Sequence, residues 1–280
     1  MKSQSKPFSV SCFLVLAIIL FSHSLSSVTA QEVEDESEFD YVKGSKKGPH
    51  HWGELKKEWA ACKNGGMQSP IDLANQRVKI IPRLDNLRRN CVPSNATVKN
   101  RGHDISVQWD IGKAGSIKIN GTEYFLHQAH WHSPSEHTVN GRRYDMELHL
   151  VHESKDENGK TKNAVVGVLY KLGRPDNFLS KLMKDIKAMS DKKEQKHMGV
   201  IDPSEIKLGG KKHYRYLGSL TVPPCTEGVI WTISKKIRTV SRQQVKLLRV
   251  AVHDYAEENA RPVQPINHRD IQLIDGQNPE

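Results

Sequence analysis

The sequence predicts a mainly β fold, one domain built around a large sheet with short helices at its periphery. Three observations carry this. Two Asn-Gly pairs, at 120–121 and 140–141, separate strand-like segments, and Asn-Gly is the strongest short hairpin signal. Ala164–Leu172 is a nearly unbroken apolar run, as expected of a strand covered on both faces. Helical periodicity is confined to two stretches late in the chain.

In chain order, residues 1–30 read as an address. Lys2 and Lys6 precede the apolar run Phe13–Phe21, and a Ser-rich stretch then ends in Val28-Thr29-Ala30. These are the parts of a secretory signal peptide, with cleavage expected after Ala30. Eight serines and no acid in 1–30 leave a chloroplast transit peptide as the weaker reading, since Arg is absent and the apolar block is compact. Nine apolar residues are too few to span a bilayer, which needs about 20. Residues 31–42 carry six acids and no base, and read as a flexible acidic lead. The body from Lys43 then holds 40 basic residues against 26 acidic. Its Lys192-Lys193, Lys211-Lys212 and Lys235-Lys236 pairs are scattered and lack interleaved aromatics, so no nucleic-acid groove is expected. No membrane span is expected in the mature chain, and the oligomeric state stays open.

No Pro/Gly/Ser linker divides the body, so a single domain over 43–270 is expected, with 271–280 as a tail. Ser116–Ile119 and Tyr124–Leu126 form a hairpin about the first Asn-Gly. The second separates Glu136–Val139 from Arg142–His152. Gly228–Ile233 is a further β-branched run. Asp176–Met189 sets Phe178, Leu179, Leu182, Met183 and Ile186 on one stripe. Ser241 with Gln244 forms a capping box before Val245, Leu247, Leu248 and Val252.

Cysteine use depends on the route. Without Cys12, three remain: Cys62, Cys91 and Cys225. One disulfide and one thiol is the simplest account. Asn95-Ala96-Thr97 and Asn120-Gly121-Thr122 are glycan acceptors in a chain that enters the secretory route.

The chemistry concentrates in Gln128-Ala129-His130-Trp131-His132. In a strand, Gln128, His130 and His132 share a face. His149 lies on the alternating face of Asp145–His152, with Glu147 and Val151. Three neutral imidazoles on two rigid strands match a zinc site with an open position. Gln128 and Glu147 are placed to accept the imidazoles' other N–H groups. His127, His137 and His152 lie nearby, so spacing alone does not choose the ligands.

Gln-Ala-His-Trp-His-Ser-Pro-Ser-Glu-His-Thr (128–138), followed by Glu-Leu-His-Leu-Val-His (147–152), resembles the zinc-site signature of α-class carbonic anhydrases. Gly-Pro-His-His-Trp-Gly (48–53), Gln-Ser-Pro-Ile-Asp-Leu (68–73) and Gly-Ser-Leu-Thr-Val-Pro-Pro-Cys-Thr-Glu (218–227) agree in order. The likeness runs from about Tyr41 to Pro265, and its wording resembles the plant secretory-pathway branch.

The resemblance implies a twisted, mostly antiparallel ten-stranded sheet with zinc at the bottom of a cleft. It implies reversible hydration of CO2 to bicarbonate and a proton, by attack of zinc-bound hydroxide. The zinc ligands fall on His130, His132 and His149, with Gln128 and Glu147 behind them. Thr221 orients the nucleophile and donates its own proton to Glu136. Val151, Val165, Leu220 and Trp231 surround CO2, with Val222 where many members carry a second threonine. His103 takes the proton-shuttle position and Tyr41 that of the tyrosine ordering the connecting waters. Arg101 and Ser106 replace asparagines common around the shuttle in vertebrate members, and a charged Arg101 beside His103 is expected to depress its pKa. Cys62 and Cys225 take the positions bridged in secreted members, which leaves Cys91 over. The expected destination is extracellular, with the chloroplast stroma reached through the secretory route as the alternative.

Overall fold

The computed structural model describes residues 38–82, 87–252, 256 and 258–275. The expected signal peptide with Cys12, the acidic lead through residue 37 and residues 276–280 lie outside the described residues. The described chain forms β1 (Val78–Pro82), β2 (Arg89–Cys91), β3 (Ser94–Asn100), β4 (Ile105–Trp109), β5 (Gly115–Ile119) and β6 (Thr122–His132). A small ribbon, β7 (Thr138–Val139) with β8 (Arg142–Arg143), precedes β9 (Met146–Lys155), β10 (Thr161–Leu172) and β11 (Gln195–Ile201). Then come β12 (Lys212–Ser219), β13 (Glu227–Ser234), β14 (Arg238–Val240) and β15 (Ile271–Asp275).

Thirteen of these strands make one sheet. A path of ten runs β1-β15-β12-β13-β10-β9-β6-β4-β3-β11, and β5, β2 and β14 join off it. Pairing is antiparallel except at β1–β15, β10–β13 and β10–β14. Both Asn-Gly pairs turn hairpins with positive φ at both residues, 49° and 82° at Asn120-Gly121 and 50° and 74° at Asn140-Gly141. That is the backbone a two-residue turn of the strands' own twist requires. The expected Glu136–Val139 strand shrinks to Thr138–Val139. The Ser135 hydroxyl there donates to the His137 carbonyl at 2.8 Å and accepts the Tyr144 N–H at 2.9 Å, which folds the segment on itself.

Four short α-helices of the described residues lie outside the sheet: α1 (Trp52–Leu55), α2 (Ala61–Asn64), α3 (Asn177–Ala188) and α4 (Arg242–Ala251). Asp176 caps α3, accepting the Leu179 N–H at 2.9 Å, and α4 opens with the expected Ser241/Gln244 capping box. α3 buries Phe178, Leu179, Leu182 and Ile186. With Leu248 and Ala251 of α4, they cover Trp131, Met146, Leu148 and Leu150 on one face of the sheet. The other face carries Val151, Val165, Tyr216, Leu220 and Trp231. No helix of the described residues is long and apolar enough to cross a membrane.

The folded body extends past 43–270 at both ends. Phe39 and Tyr41, placed by sequence in the flexible lead, are buried against Trp52 with ring centroids 5.3 and 5.4 Å away. Ile271–Asp275, read as tail, is a strand between β1 and β12. Its parallel partner is nearly two hundred residues earlier, Val78 facing Ile271, so no local pattern announces it.

Candidate metal centre

The site begins with a bulge. The pairing of β6 with β9 skips a residue between Leu126 and Gln128. An inserted residue resets the side-chain alternation. Tyr124 and Leu126 before it, and Ala129 and Trp131 after it, all enter the helix-covered core. Gln128, His130 and His132 are thereby turned to the opposite face. The antiparallel register sets His149 directly across from His130.

The three imidazoles converge, each at most 1 % exposed, with ring centroids 4.7 to 5.1 Å apart. One nitrogen of each is committed outward. His130 Nδ1 meets Gln128 Oε1 at 2.9 Å, and His149 Nε2 meets Glu147 Oε1 at 2.8 Å. His132 Nδ1 meets the Asn259 backbone carbonyl at 2.7 Å. These acceptors fix the tautomers and turn the remaining nitrogens inward. His130 Nε2 and His149 Nδ1 stand 3.3 Å apart, and His132 Nε2 is buried with no hydrogen-bond partner among the described residues. One nitrogen from each ring lies within 4.8 Å of the others, a set that can hold a metal ion.

A second group meets the same distance limit, His137 with Glu147 and His149. Its atoms are already spent on one another. Glu147 Oε1 also accepts His137 Nδ1 at 2.7 Å, and Oε2 accepts the His137 backbone N–H at 2.8 Å. Burial opposes charge on Glu147, but the His137 and His149 imidazoles outweigh it and hold the carboxyl well below its usual range. From His137 a buried chain runs on through the Tyr216 hydroxyl at 2.6 Å to Ser69 Oγ at 2.8 Å. Ser69 and Ser219 exchange backbone-to-hydroxyl bonds of 2.9 and 3.0 Å, next to Leu220 and Thr221. Gly167, opposite His149, leaves room for the carboxylate. A Cβ there would lie 3.2 Å from Glu147 Oε1 and 2.4 Å from Ile233 Cδ1.

The remaining candidates fall into three groups. Val151, Val165, Leu220 and Trp231 pack in one buried cluster, and the Trp231 ring lies 4.8 Å from that of His149. Val222, the next residue to Thr221, is buried with Phe39, Tyr41, Trp52 and the disulfide. Thr221 and Glu136 are buried, but the expected bond between them is not made. Glu136 Oε1 accepts the Arg261 backbone N–H at 2.9 Å, and Oε2 has no hydrogen-bond partner among the described residues. That oxygen, 3.7 Å from His132 Nε2, is the acceptor left for a hydroxyl.

His103 is buried, 1 % exposed, with its ring centroid 5.1 Å from that of Phe39. The expected influence of Arg101 changes. Arg101 Nε donates to Asp104 Oδ1 at 2.7 Å and its Nη2 to Oδ2, so its charge is met before it reaches His103. The anion stands nearer, with Asp104 Oδ2 3.7 Å from His103 Nε2. Burial opposes ionisation of Asp104, yet Arg101, His103 and His130 together hold its carboxyl far below the usual range.

Cys62 and Cys225 form a disulfide, and Cys91 is a free, half-buried thiol. Asn95 and Asn120 are exposed. Sequence reasoning missed Asn259 and Arg261. The Asn259 side chain accepts the Ser133 N–H at 2.8 Å and donates to the His103 carbonyl at 2.9 Å. Arg261 donates to Gln68 Oε1 and to the carbonyls of Ser69 and Cys62 at 2.7 to 2.9 Å. The only local signal was two polar residues in an aperiodic Asn-Ala-Arg-Pro.

The comparisons agree with this geometry. Residues 47–274 match the family model for eukaryotic-type carbonic anhydrase. Alpha carbonic anhydrase 7 of Arabidopsis thaliana is 55% identical over 95% of this chain and 94% of its own length. Carbonic anhydrase Nec1 of Nesocodon mauritianus is 52% identical over 93% of each chain. Among solved structures, dioscorin complexed with ascorbate superposes with a TM-score of 0.81 at 44% identity, over 86% of this chain and 100% of that one. The α-carbonic anhydrase of Thermovibrio ammonificans with the inhibitor sulfanilamide gives 0.74 at 35%, over 84% and 98%. The chain belongs to the eukaryotic-type carbonic anhydrase family.

Proposed function

We propose that this chain catalyses the zinc-dependent reversible hydration of CO2 to bicarbonate and a proton. The observation that carries the reading is the convergence of one nitrogen each from His130, His132 and His149, with the opposite nitrogens anchored. Three neutral imidazoles with no fourth protein ligand among the described residues are the donor set of a catalytic zinc site, and the buried His132 Nε2, without a hydrogen-bond partner among those residues, fits a metal. Zinc, when bound, supplies the Lewis acidity that lets water ionise near neutral pH, for which carbonic anhydrase is itself the standard example.

The protein's own side chains do the rest. Glu136 Oε2, the acceptor left open, is available to the Thr221 hydroxyl, whose oxygen then accepts a hydrogen bond from the attacking group and aims it. Val151, Val165, Leu220 and Trp231 give CO2, which has no charge, a dry wall beside the imidazoles. His103 relays the product proton, with the Asp104 carboxylate 3.7 Å from its Nε2. Tyr41, packed with the Phe39 that lies against His103, orders the waters of this path. The Cys62–Cys225 disulfide supports the secretory destination, extracellular or chloroplast, and the exposed Asn95 and Asn120 support glycosylation there.

The test is zinc content and CO2 hydration rate measured together in the wild type and in His132→Ala. One zinc per chain and catalysis, both lost in the variant, support the reading. A variant that keeps full activity overturns it. The likeness to dioscorin complexed with ascorbate makes ascorbate the competing ligand to titrate if zinc-loaded protein is inactive.

A further inference from the structure

The face of the sheet opposite the imidazoles carries a second concavity. It holds about 200 Å3 between that face and the segment ahead of β12. Leu87, Val166 and Leu208 form its apolar side, and His213, Thr232 and Ser234 its polar side. The register explains the polar side. His213 faces Ser234 across β12–β13, and Arg215 faces Thr232, so alternate positions of two paired strands present these groups together.

Two of the polar groups are satisfied within the fold. Ser234 Oγ donates to the Leu208 carbonyl at 2.8 Å, and Thr232 Oγ1 accepts Arg215 Nε at 3.2 Å. His213 differs. It is 5 % exposed, one ring nitrogen is held by the Lys211 backbone, and its Nε2 is buried with no hydrogen-bond partner among the described residues. Burial and the Arg215 charge push the imidazole down to about 4, so at neutral pH this nitrogen is a lone pair awaiting a donor. A buried polar atom of this kind is costly unless something meets it.

The surroundings are nevertheless basic. Lys211 and Lys212 line the concavity and Arg215 follows on the same strand. Asp275 on β15, which faces Lys212 across the strand pairing, is engaged by Lys212 at 2.8 Å. A ligand here must bring a proton for His213 and negative charge for the cations. A carboxylate that takes up one proton from solvent as it binds meets both needs, with the proton shared between the carboxyl oxygen and the imidazole.

We propose that this concavity is a binding site for a small amphipathic monocarboxylic acid, with the carboxyl group on His213 Nε2 and the apolar body against Leu87, Val166 and Leu208. The volume suits a compact ring or short branched chain, below the range typical of drug-sized ligands. The site lies on the opposite face from the proposed zinc centre and does not depend on zinc occupancy.

Benzoate is the probe, titrated into the full zinc-loaded chain while the His213 imidazole is followed by two-bond 1H–15N NMR, a readout local to this site. The expected result is saturable movement of the His213 resonances. Binding should weaken about tenfold or more with benzamide, which lacks the acid, and in His213→Gln. Leu208→Trp, which fills the concavity from a half-exposed position, should also abolish it. Both variants should keep wild-type CO2 hydration. Unmoved His213 resonances at high benzoate, or equal affinity in both variants, would overturn the proposal and leave the concavity to water.

Discussion

His132 Nδ1 lies 2.7 Å from the backbone carbonyl of Asn259, a residue 127 positions later in the chain. That bond decides which His132 nitrogen faces the centre. Asn259 is itself pinned at both ends of its side chain, by Ser133 and His103. Asn259→Ala removes the pins without removing the carbonyl. The expected outcome is a loss of about 1–3 kcal/mol in stability and ~10-fold in zinc affinity. Denaturant unfolding and competition against a chelator measure the two.

Glu147 serves two imidazoles at once, so its replacements separate its roles. Glu147→Gln keeps the shape but removes the charge that both histidines meet. Zinc affinity should fall about 10- to 100-fold. Tyr216→Phe, one bond further along the chain, leaves Glu147 intact and should cost stability more than metal affinity. Calorimetric zinc titration beside thermal melts distinguishes the variants.

Much of this centre was legible in sequence, for a physical reason. His130 and His132 are two residues apart on one strand, and Gln128 and Glu147 each stand two residues from the imidazole they anchor. Strand alternation alone puts such groups on one face. What sequence could not show was set at long range. The bulge at His127 turns that face away from the helices, Asn259 arrives from the C-terminal stretch, and β15 finds β1 across the whole fold. Val222 and the Arg101–Asp104 pair fall in the same class, since who packs against them is a property of the assembled chain.

The disulfide closes a loop over a sequence separation of 163 and joins α2 to the segment carrying Thr221. Gln68 and Arg261 bind the carbonyls of Cys225 and Cys62 at 3.1 and 2.7 Å, which keeps the two ends together without it. Reduction should therefore destabilise by less than the roughly 5 kcal/mol of the chain-entropy limit, while the protein still folds. Thermal melts with and without reductant check this, and a completely unfolded reduced protein would count against it.

Acid should unfold the protein earlier than its carboxylates alone would. Burial lowers His152 to about 3, with Arg89 adding to the effect, and His213 is lowered to about 4. Both are therefore neutral in the fold where the unfolded chain is protonated. Their contribution is complete above pH ~6.5 and is lost as pH falls from there toward 3. His152 alone contributes up to ~5 kcal/mol at about 1.4 kcal/mol per pKa unit. Glu147 and Asp104, whose folded values are depressed, add a loss that begins near the ordinary carboxylate range. Denaturant midpoints should stay level from pH 8 to about 6.5 and fall from there to pH 4, and His152→Phe should flatten the upper part of that slope.

The most direct measurement is the initial rate of CO2 hydration by the oxidised chain spanning residues 31–280, the mature form expected from sequence, before chelation, after it and on return of zinc. The account predicts acceleration over buffer that disappears with the metal and returns with it. A folded, zinc-loaded protein that does not accelerate hydration would contradict the account.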